Sequence, residues 1–161
     1  MLDAVLGVDV GTTSTKAVIF DFTGKEIARA YSQPYHQFTP VPGWVEQDPE
    51  EIWRALLLTI QDVITQTKTI AVVKAMSISA QSGSLIPADA EGHPVYPLIT
   101  WLDGRAEEVV KEWKKIGHQD WVKPLSGWSL YPSLCLPTIA WLQKNNREVD
   151  NFEKIYFSVN D

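Results

Sequence analysis

The hydrophobic and polar positions of the first thirty residues predict three strands joined by tight turns. Val5–Val10 is aliphatic with little alternation, which is typical of a buried strand. Lys16–Asp21 and Glu26–Tyr31 are predicted as two further strands, and the turn between them places Gly24 where a positive φ is needed. The pattern therefore predicts an antiparallel meander at the amino end.

An extended loop and a helix are predicted next. Three of the ten prolines lie within Gln33–Gly43, which favours a loop. Asp48 is suited to the N-cap, Pro49 to the first helical position, and Glu51 to the last position of a capping box. Apolar residues at helical spacing then predict a helix to about Thr65.

Strands and helices alternate in the rest of the chain. The predicted elements are a buried strand at Ala71–Ser79, a strand at Ser84–Asp89, helices at Arg105–Ile116 and from Leu134 or Pro137 to Lys144, and a strand at Lys154–Val159. This order predicts an α/β fold with a mixed sheet covered by helices. Asn160 and Asp161 would begin another helix, so we expect the chain to be a fragment of a longer protein.

Composition and charge narrow the class of protein. The apolar fraction of 45% and the charged fraction of 21% are ordinary for a soluble globular protein. The net charge of −6 argues against a nucleic-acid partner, and no apolar stretch approaches the ~20 residues that span a bilayer. One cysteine, Cys135, and an amino terminus without a basic segment favour a cytoplasmic location.

The turn after the first strand is the strongest candidate site. A turn containing Gly11 exposes backbone N–H groups to phosphate oxygens, the hydroxyls of Thr12 and Thr13 add donors, and Lys16 adds positive charge. Asp9 at the strand end could hold Mg²⁺ through water. The sequence lacks both the Walker A motif and the Gly-x-Gly-x-x-Gly dinucleotide motif. A polar hairpin turn without a ligand stays open as the alternative.

Two other segments carry candidate binding residues. Trp101 offers a flat apolar face to a sugar ring, while Asp103 and Arg105 can bond its hydroxyls; alternatively, Asp103 only caps the following helix. Gln81 and Ser82 lie in a polar loop that either lines a polyol site or simply connects two strands. The other tryptophans, seven in all with Trp101, are expected mostly in the core.

Four segments, in order along the chain, resemble motifs of the FGGY family of carbohydrate kinases. They are a first phosphate loop at Gly7–Lys16, a Gly-Trp-x-Glu-x-Asp-Pro segment at Gly43–Pro49, a Trp-x-Asp-x-Arg motif within Pro97–Arg105, and the helix that follows at Tyr131–Leu142. The resemblance covers essentially the whole chain. It implies an actin-like, ribonuclease-H-like fold, of which residues 1–161 are the amino-terminal portion of the first kinase domain, and transfer of the ATP γ-phosphate to a sugar hydroxyl.

The resemblance also implies a role for each candidate residue. Asp9 would bind Mg²⁺. The residues beside the ATP phosphates would be Gly11, Thr12, Thr13 and Lys16, and those facing the sugar would be Gln81, Ser82, Trp101 and Asp103. Arg105 would orient Asp103 or touch the substrate. The nucleotide-binding second domain and the general-base Asp are expected beyond Asp161. We therefore expect the isolated chain to be inactive. The full-length parent is expected to form a homodimer.

Alternatives for the substrate and for the function class stay open. The resemblance is strongest to gluconokinases and xylulokinases, but Ser82 and Gly83 stand where both subgroups usually have Met-His and where glycerol kinases have Arg-Glu. A non-catalytic sugar-binding or regulatory module is a second function class. An actin-like ATPase of the chaperone type is a third, although it gives no reason for the Trp101–Arg105 segment.

Overall fold

The computed structural model describes residues 1–145 and 154–158, which form eight strands and four helices. In chain order these are β1 (Leu2–Val10), β2 (Thr15–Asp21), β3 (Glu26–Tyr31), β4 (Glu46–Gln47), α1 (Pro49–Thr67), β5 (Ala71–Ala80), β6 (Ser82–Ala88), β7 (Leu98–Ile99), α2 (Glu107–Lys115), α3 (Gln119–Ser126), α4 (Cys135–Asn145) and β8 (Lys154–Ser158). They divide into two compact units: residues 1–36 with 48–81, and residues 37–47 with the described residues from 82 onward.

The first unit is a four-stranded mixed sheet in the order β3-β2-β1-β5. The predicted meander is confirmed, because β2 pairs antiparallel with both β1 and β3, and Gly24 in the second turn has a φ of 86°. β5 adds to the other side of β1 in parallel. Alternate side chains of β1 and β2 face α1, and the core is formed by Leu6, Val8, Val10, Ala17, Ile19, Ile52, Leu56 and Val63.

Helix α1 begins where the sequence predicts and extends two residues further, to Thr67. The Asp48 carboxylate accepts a hydrogen bond from the Glu50 N–H at 2.9 Å, and Pro49 occupies the first helical position. The second half of the predicted capping box, a bond from the Asp48 backbone N–H to the Glu51 side chain, is wrong. The Glu51 carboxylate accepts instead from the backbone N–H of His36 at 3.2 Å and contacts its Nδ1 at 2.7 Å, and so binds the preceding loop.

Strand β5 contradicts the expectation that it is buried. All six residues from Lys74 to Ser79 are exposed, and the side chains of Met76 and Ile78 are 53% and 37% exposed. The strand lies at the edge of its sheet, and α1 packs on β2 and β3. An apolar sequence therefore indicates the strand correctly but does not reveal which neighbours cover it.

The second unit is built on an antiparallel sheet in the order β4-β7-β6-β8. Leu85 and Ile99 pack against Leu142 of α4 to form its core. The two-residue strands β4 and β7 are too short to leave a periodic pattern, so the sequence does not predict them. The predicted last strand is confirmed from Lys154 to Ser158, while positions 159–161 and the expected helix start lie outside the described residues.

The helices of this unit agree with the predictions in part. α2 ends before Gly117, whose φ is 86°, but its N-cap is Ala106, so the alternative that Asp103 caps this helix is wrong. α4 begins at Cys135, between the two predicted starts. α3 was not predicted, because Pro124 within its eight residues argues against a helix.

The tryptophans differ from the expectation of a mainly core role. Four of the seven have 45–69% of their surface exposed: Trp53, Trp101, Trp121 and Trp128. The described helices include none that combines the length and the apolar character required to cross a bilayer.

Candidate functional site

Two segments predicted to bind ligand meet at one edge of the first unit. β1 and β5 run parallel with Val10 opposite Ala80, so their carboxyl ends lie side by side. The backbone N–H of Gln81 donates to the Val10 carbonyl at 2.9 Å, which places Gln81 beside Gly11. In open α/β sheets, ligands bind just beyond the carboxyl ends of strands. This edge is therefore the candidate site of the first unit.

The turn that follows β1 is closed by its own backbone. The Gly11 N–H donates to the Ser14 carbonyl at 3.1 Å. A Cβ placed on Gly11 would lie 3.3 Å from that carbonyl oxygen and 3.9 Å from Oδ2 of Asp9. Glycine therefore lets the turn close tightly while the Asp9 carboxylate stays next to it.

Charged and polar side chains share the sheet face below this turn. Asp9 pairs with Lys16 in the antiparallel register and with Ser79 in the parallel register, so these residues share one side of the sheet. Asp9 and Lys16 are exposed. With Ser77 they line a shallow cavity of about 280 Å³ on that face.

The residues around Asp9 fit Mg²⁺ of the kind that is bound together with phosphates. Among the described residues there is no group of three or more His, Cys, Asp or Glu side chains that could enclose a metal ion. Mg²⁺ does not need such a group, because it keeps several waters and is usually held by one or two carboxylates plus substrate phosphates. One exposed carboxylate beside a glycine turn and a lysine fits that donor set.

In the second unit, Asp103 and Arg105 form a buried pair. The Arg105 backbone N–H and Nε donate to Oδ1 of Asp103 at 2.8 and 2.9 Å. Oδ2 accepts from Arg105 Nη2 at 2.9 Å and from the Val45 N–H at 2.7 Å. A carboxylate has about four acceptor positions, so those of Asp103 are filled within this unit.

The Arg105 guanidinium is the centre of a larger cluster. Nη2 also donates to Oε1 of Glu46 at 2.6 Å, and Nη1 donates to the Tyr96 hydroxyl at 3.2 Å. The guanidinium carbon lies 4.2 Å from the ring centroid of Trp44 and 5.3 Å from that of Trp141. We call these residues, with Asp103, the Arg105 cluster.

The two acidic partners further favour the charged form of Arg105. Burial lowers the pKa of Arg105, but the hydrogen bonds that it donates to Asp103 and Glu46 outweigh this effect and raise that pKa overall. Burial is also the main reason that the pKa of Tyr96 is raised, and Glu46 adds to the effect. The cluster therefore keeps its arginine charged and its tyrosine neutral.

Trp101 lies at the surface of the second unit. It is 45% exposed, and its backbone N–H donates to Oγ of Ser84 at 3.3 Å. A Cβ on Gly83 would lie 3.3 Å from the Cβ of Trp101, and Gly83 has a φ of 77°. Glycine at this position therefore lets the chain pass close to Trp101. Ser82, the preceding residue, is exposed.

A cavity of about 590 Å³ opens next to Trp101 within this unit. Asp103, Lys111, Lys114 and Tyr131 are among its lining residues, and Tyr131 is 65% exposed. No local sequence pattern indicates Tyr131 as a site residue. The cavity brings it together with Trp101, which the sequence did indicate.

The structure thus divides the predicted site residues into two groups. Asp9, Gly11, Thr12, Thr13, Lys16 and Gln81 belong to the first unit, and Ser82, Trp101, Asp103 and Arg105 belong to the second. Sequence reasoning missed the partners of Arg105. Trp44 and Glu46 do lie in the Gly43–Pro49 segment, but only the folded chain shows that they contact an arginine almost sixty residues later.

Comparison with solved structures defines the class of protein to which this fold and site belong. The chain superposes on a ligand-bound xylulose kinase from Lactobacillus acidophilus with a TM-score of 0.85 and 30% sequence identity, over 96% of this chain and 31% of that one. The expected actin-like, ribonuclease-H-like fold of sugar kinases is confirmed.

The family follows from the sequence comparisons. Residues 4–160 match the amino-terminal domain of the FGGY family of carbohydrate kinases, and the chain belongs to this family. It is 33% identical to a glycerol kinase from Oceanobacillus iheyensis over 88% of this chain and 28% of the relative. It is also 33% identical to a gluconokinase from Bacillus subtilis over 100% of this chain and 31% of the relative. The chain thus spans less than a third of the length of these relatives.

Proposed function

We propose that this chain contributes to an ATP-dependent carbohydrate kinase that transfers the γ-phosphate to a hydroxyl of a sugar or sugar acid, gluconate or xylulose. Because the chain belongs to this family, one observation on its fold supports the proposal. The turn after β1 and the segment after β5 lie side by side, so the predicted phosphate-binding residue Gly11 is adjacent to the predicted sugar-binding residue Gln81.

The proposed roles follow from the chemistry of phosphoryl transfer, which depends mainly on positioning and on neutralising charge. Gly11, Thr12 and Thr13 would orient the terminal phosphates, and Lys16 would offset part of their charge. Asp9 would hold Mg²⁺, which when bound neutralises further phosphate charge. The general base is expected outside this chain, so none of these residues removes the proton of the sugar hydroxyl.

Trp101 is proposed to stack on the sugar, and Gln81 and Ser82 to bond its hydroxyls. For Arg105 we favour orientation of Asp103 over contact with substrate, because its guanidinium is already bonded to Asp103, Glu46 and Tyr96. Direct bonding of Asp103 to a sugar would require the exchange of one of its four present bonds.

The substrate class is proposed from the relatives and from the motif resemblance. Curated relatives include both glycerol kinases and a gluconokinase. The four motif segments resemble gluconokinases and xylulokinases more than glycerol kinases, which favours a substrate larger than glycerol. Gluconate and xylulose are the larger candidates.

An NMR titration tests the phosphate site without requiring an adenosine-binding domain. The ¹⁵N-labelled chain is titrated with tripolyphosphate in the presence of Mg²⁺, and we expect the largest shifts at the amides of residues 11–13. Asp9→Asn should weaken this binding at least about tenfold, which is ~1.4 kcal/mol. The matched control is Asp3→Asn, an exposed aspartate at the other end of β1 whose carboxylate lies 3.4 Å from Nζ of Lys74. Equal affinity in the two variants would contradict the assignment.

A non-catalytic sugar-binding module is the second candidate. The Arg105 cluster favours it, because every partner of Arg105 lies in the second unit and the cluster needs no residue of the phosphate turn. Calorimetry with gluconate, xylulose and glycerol, each with and without MgATP, separates the two functions. Sugar binding that nucleotide leaves unchanged would favour the module, whereas nucleotide-dependent binding would favour the kinase.

The isolated chain is proposed to be inactive, because the general base and the nucleotide half are expected elsewhere. A coupled assay for ADP release with each of the three substrates tests this statement. ATP-dependent phosphorylation at a rate normal for such kinases would overturn it. A cytoplasmic location belongs to the same proposal, and the unpaired Cys135 is compatible with a reducing compartment.

A further inference from the structure

The segment that follows β3, residues 32–35, is bonded directly to the turn between β1 and β2 and to the first residue of β2. The Ser32 N–H donates to the Thr15 carbonyl at 2.9 Å, and the Thr15 N–H donates in return to Oγ of Ser32 at 2.9 Å. The Tyr35 N–H donates to the Thr13 carbonyl at 2.8 Å. We call residues 32–35 the supporting segment, because it holds the backbone of the turn that is proposed to bind phosphate.

The side chain of Tyr35 adds a buried hydrogen bond to this contact. Tyr35 is 7% exposed and Thr15 is fully buried, and their two hydroxyls share a hydrogen bond. Burial is the main reason that the pKa of Tyr35 is raised, so its hydroxyl is protonated at neutral pH. A buried hydroxyl without a partner is unfavourable. The bond therefore fixes Tyr35 relative to the start of β2.

The supporting segment is held in place independently of the turn. The residue that follows it, His36, donates its backbone N–H to the Glu51 carboxylate of α1 at 3.2 Å, and its Nδ1 lies 2.7 Å from Oε1 of that carboxylate. Within the segment, the ring of Pro34 restricts the backbone φ. Because the segment is attached to α1, it can fix the turn instead of moving with it.

The bond from Tyr35 determines the direction of one N–H group of the turn. The peptide group between Thr13 and Ser14 is trans, and in a trans peptide the carbonyl oxygen and the following N–H point to opposite sides. The Thr13 carbonyl accepts from Tyr35, so the Ser14 N–H is directed away from the supporting segment. Among the described residues this N–H has no acceptor, whereas the carbonyls of Thr13 and Ser14 are both bonded. The turn therefore presents a donor to an anion, and not these carbonyl oxygens.

From these contacts we propose that Tyr35 is a positioning residue for the phosphate turn, residues 11–14. Its N–H and its hydroxyl hold Thr13 and Thr15, so that the backbone N–H groups of the turn are aimed at phosphate oxygens before the ligand binds. The proposal rests on the proposed function, which takes this turn as the phosphate site. A turn that is already ordered loses little conformational freedom on binding, and donors fixed in advance stabilise charge more effectively. Tyr35 acts through the turn and is not itself a ligand of the phosphate.

Removal of the Tyr35 hydroxyl provides the main test. Tyr35→Phe keeps the aromatic ring and the backbone N–H but leaves the Thr15 hydroxyl buried without its partner. In the NMR titration with tripolyphosphate and Mg²⁺, this variant should bind about five- to tenfold more weakly than the wild-type chain, because the turn is held by fewer bonds. The matched control is Tyr31→Phe, which removes the hydroxyl of a tyrosine that is 54% exposed and contacts Nη1 of Arg29 at 3.3 Å. This control should bind as tightly as wild type.

Substitutions of Thr15 test whether the bond between the two hydroxyls is responsible. Thr15→Ser keeps the hydroxyl and should bind tripolyphosphate within about twofold of wild type, whereas Thr15→Val removes it and should weaken binding as much as Tyr35→Phe does. The double variant Tyr35→Phe/Thr15→Val should bind no more weakly than either single variant, since all three lack the same bond. Multiplied losses in the double variant, or equal affinities of Thr15→Ser and Thr15→Val, would overturn the proposal.

A merely structural role of Tyr35 is distinguished by measuring stability and affinity on the same samples. Urea denaturation followed by circular dichroism gives the stability of each variant, and the titration is carried out where each chain is folded. A structural role would lower the urea midpoint of Tyr35→Phe and leave the affinity of the folded chain for tripolyphosphate unchanged. We expect instead a weaker affinity, together with a changed chemical shift of the Ser14 amide in the ligand-free chain.

The result for the wild-type chain separates this proposal from the proposed function. A wild-type chain that does not bind tripolyphosphate would overturn the phosphate assignment, and the role of Tyr35 would fall with it. Binding by the wild-type chain that Tyr35→Phe leaves unchanged would overturn the role of Tyr35 alone. A Tyr31→Phe variant that binds as weakly as Tyr35→Phe would do the same, because loss of either tyrosine hydroxyl would then have one effect.

Discussion

The turn after β1 and the Arg105 cluster use charged residues in opposite ways. Asp9 and Lys16 are exposed on a sheet face, beside a turn that closes on itself through Gly11 and Ser14. Arg105 is buried with two acidic partners and contacts two tryptophan rings. The first arrangement leaves charge available to a ligand, whereas the second uses charge to fix the chain. Residues of a binding motif therefore need not all bind.

The largest expected effect comes from removing the centre of the cluster. Arg105→Met should lower the free energy of unfolding by about 3–5 kcal/mol, because it leaves the Asp103 and Glu46 carboxylates buried without their partner. Urea denaturation followed by circular dichroism measures the change. The control Arg29→Met removes an exposed arginine that is ion-paired with Glu26, and it should change stability little. Similar losses in the two variants would contradict the distinction between buried and exposed arginines.

Substitution at Gly83 is expected to have the next largest effect. Gly83→Ala should cost about 2–3 kcal/mol, since alanine is strained at a φ of 77° and its Cβ would lie 3.3 Å from that of Trp101. The control Gly127→Ala has nearly the same φ, 75°, with no neighbouring atom within 4 Å of its Cβ. The difference between the two costs in urea denaturation measures the Trp101 contact, and equal costs would show that Trp101 moves aside without loss of stability.

A smaller, pH-dependent effect is expected at Asp21 in the β2–β3 turn. Its carboxylate accepts from the Thr23 hydroxyl, the Lys25 N–H and the Thr23 N–H, and these bonds lower the pKa of Asp21. A lowered pKa means that the stabilisation is present above the unfolded-state value and is lost as the pH falls through the folded-state value. The melting temperature of Asp21→Asn should therefore lie slightly below that of wild type at neutral pH. It should converge with wild type in acid, and a gap that persists there would contradict this cause.

The smallest effect on stability is expected at Asp9. Asp9→Asn should change the free energy of unfolding by no more than about 0.5 kcal/mol, because the side chain is exposed. Parallel urea denaturation of Asp9→Asn and Arg105→Met compares their free energies of unfolding directly. A large loss of stability in Asp9→Asn would assign the turn a structural role, like that of the Arg105 cluster.

The sequence predicted the parts of the fold that have local causes. The meander follows from aliphatic runs and a glycine turn, and α1 follows from Asp48 and Pro49 at its start. The mixed sheet was also predicted. The exposure of β5 was not, because burial depends on which elements cover a strand and not on its own composition.

The candidate site was predictable to a similar extent. A glycine turn after a strand identified residues 9–16, but the adjacency of Gly11 and Gln81 requires the parallel pairing of strands seventy residues apart. The motif around Trp101 predicts a sugar site through its resemblance to a family motif. Its arginine, however, is held by Trp44, Glu46 and Trp141, which are distant in the chain, so no local pattern indicates that Arg105 is buried.

The packing of Trp44 and Trp141 around Arg105 has a spectroscopic consequence. Their indole rings meet edge to face with centroids 4.9 Å apart, and both are partly shielded from solvent, unlike the four exposed tryptophans. The fluorescence emission of Trp44 and Trp141 should be blue-shifted relative to that of the four exposed tryptophans. It should move to longer wavelength when the second unit unfolds. The chain thus contains an intrinsic fluorophore pair that reports on one half of the molecule without any label.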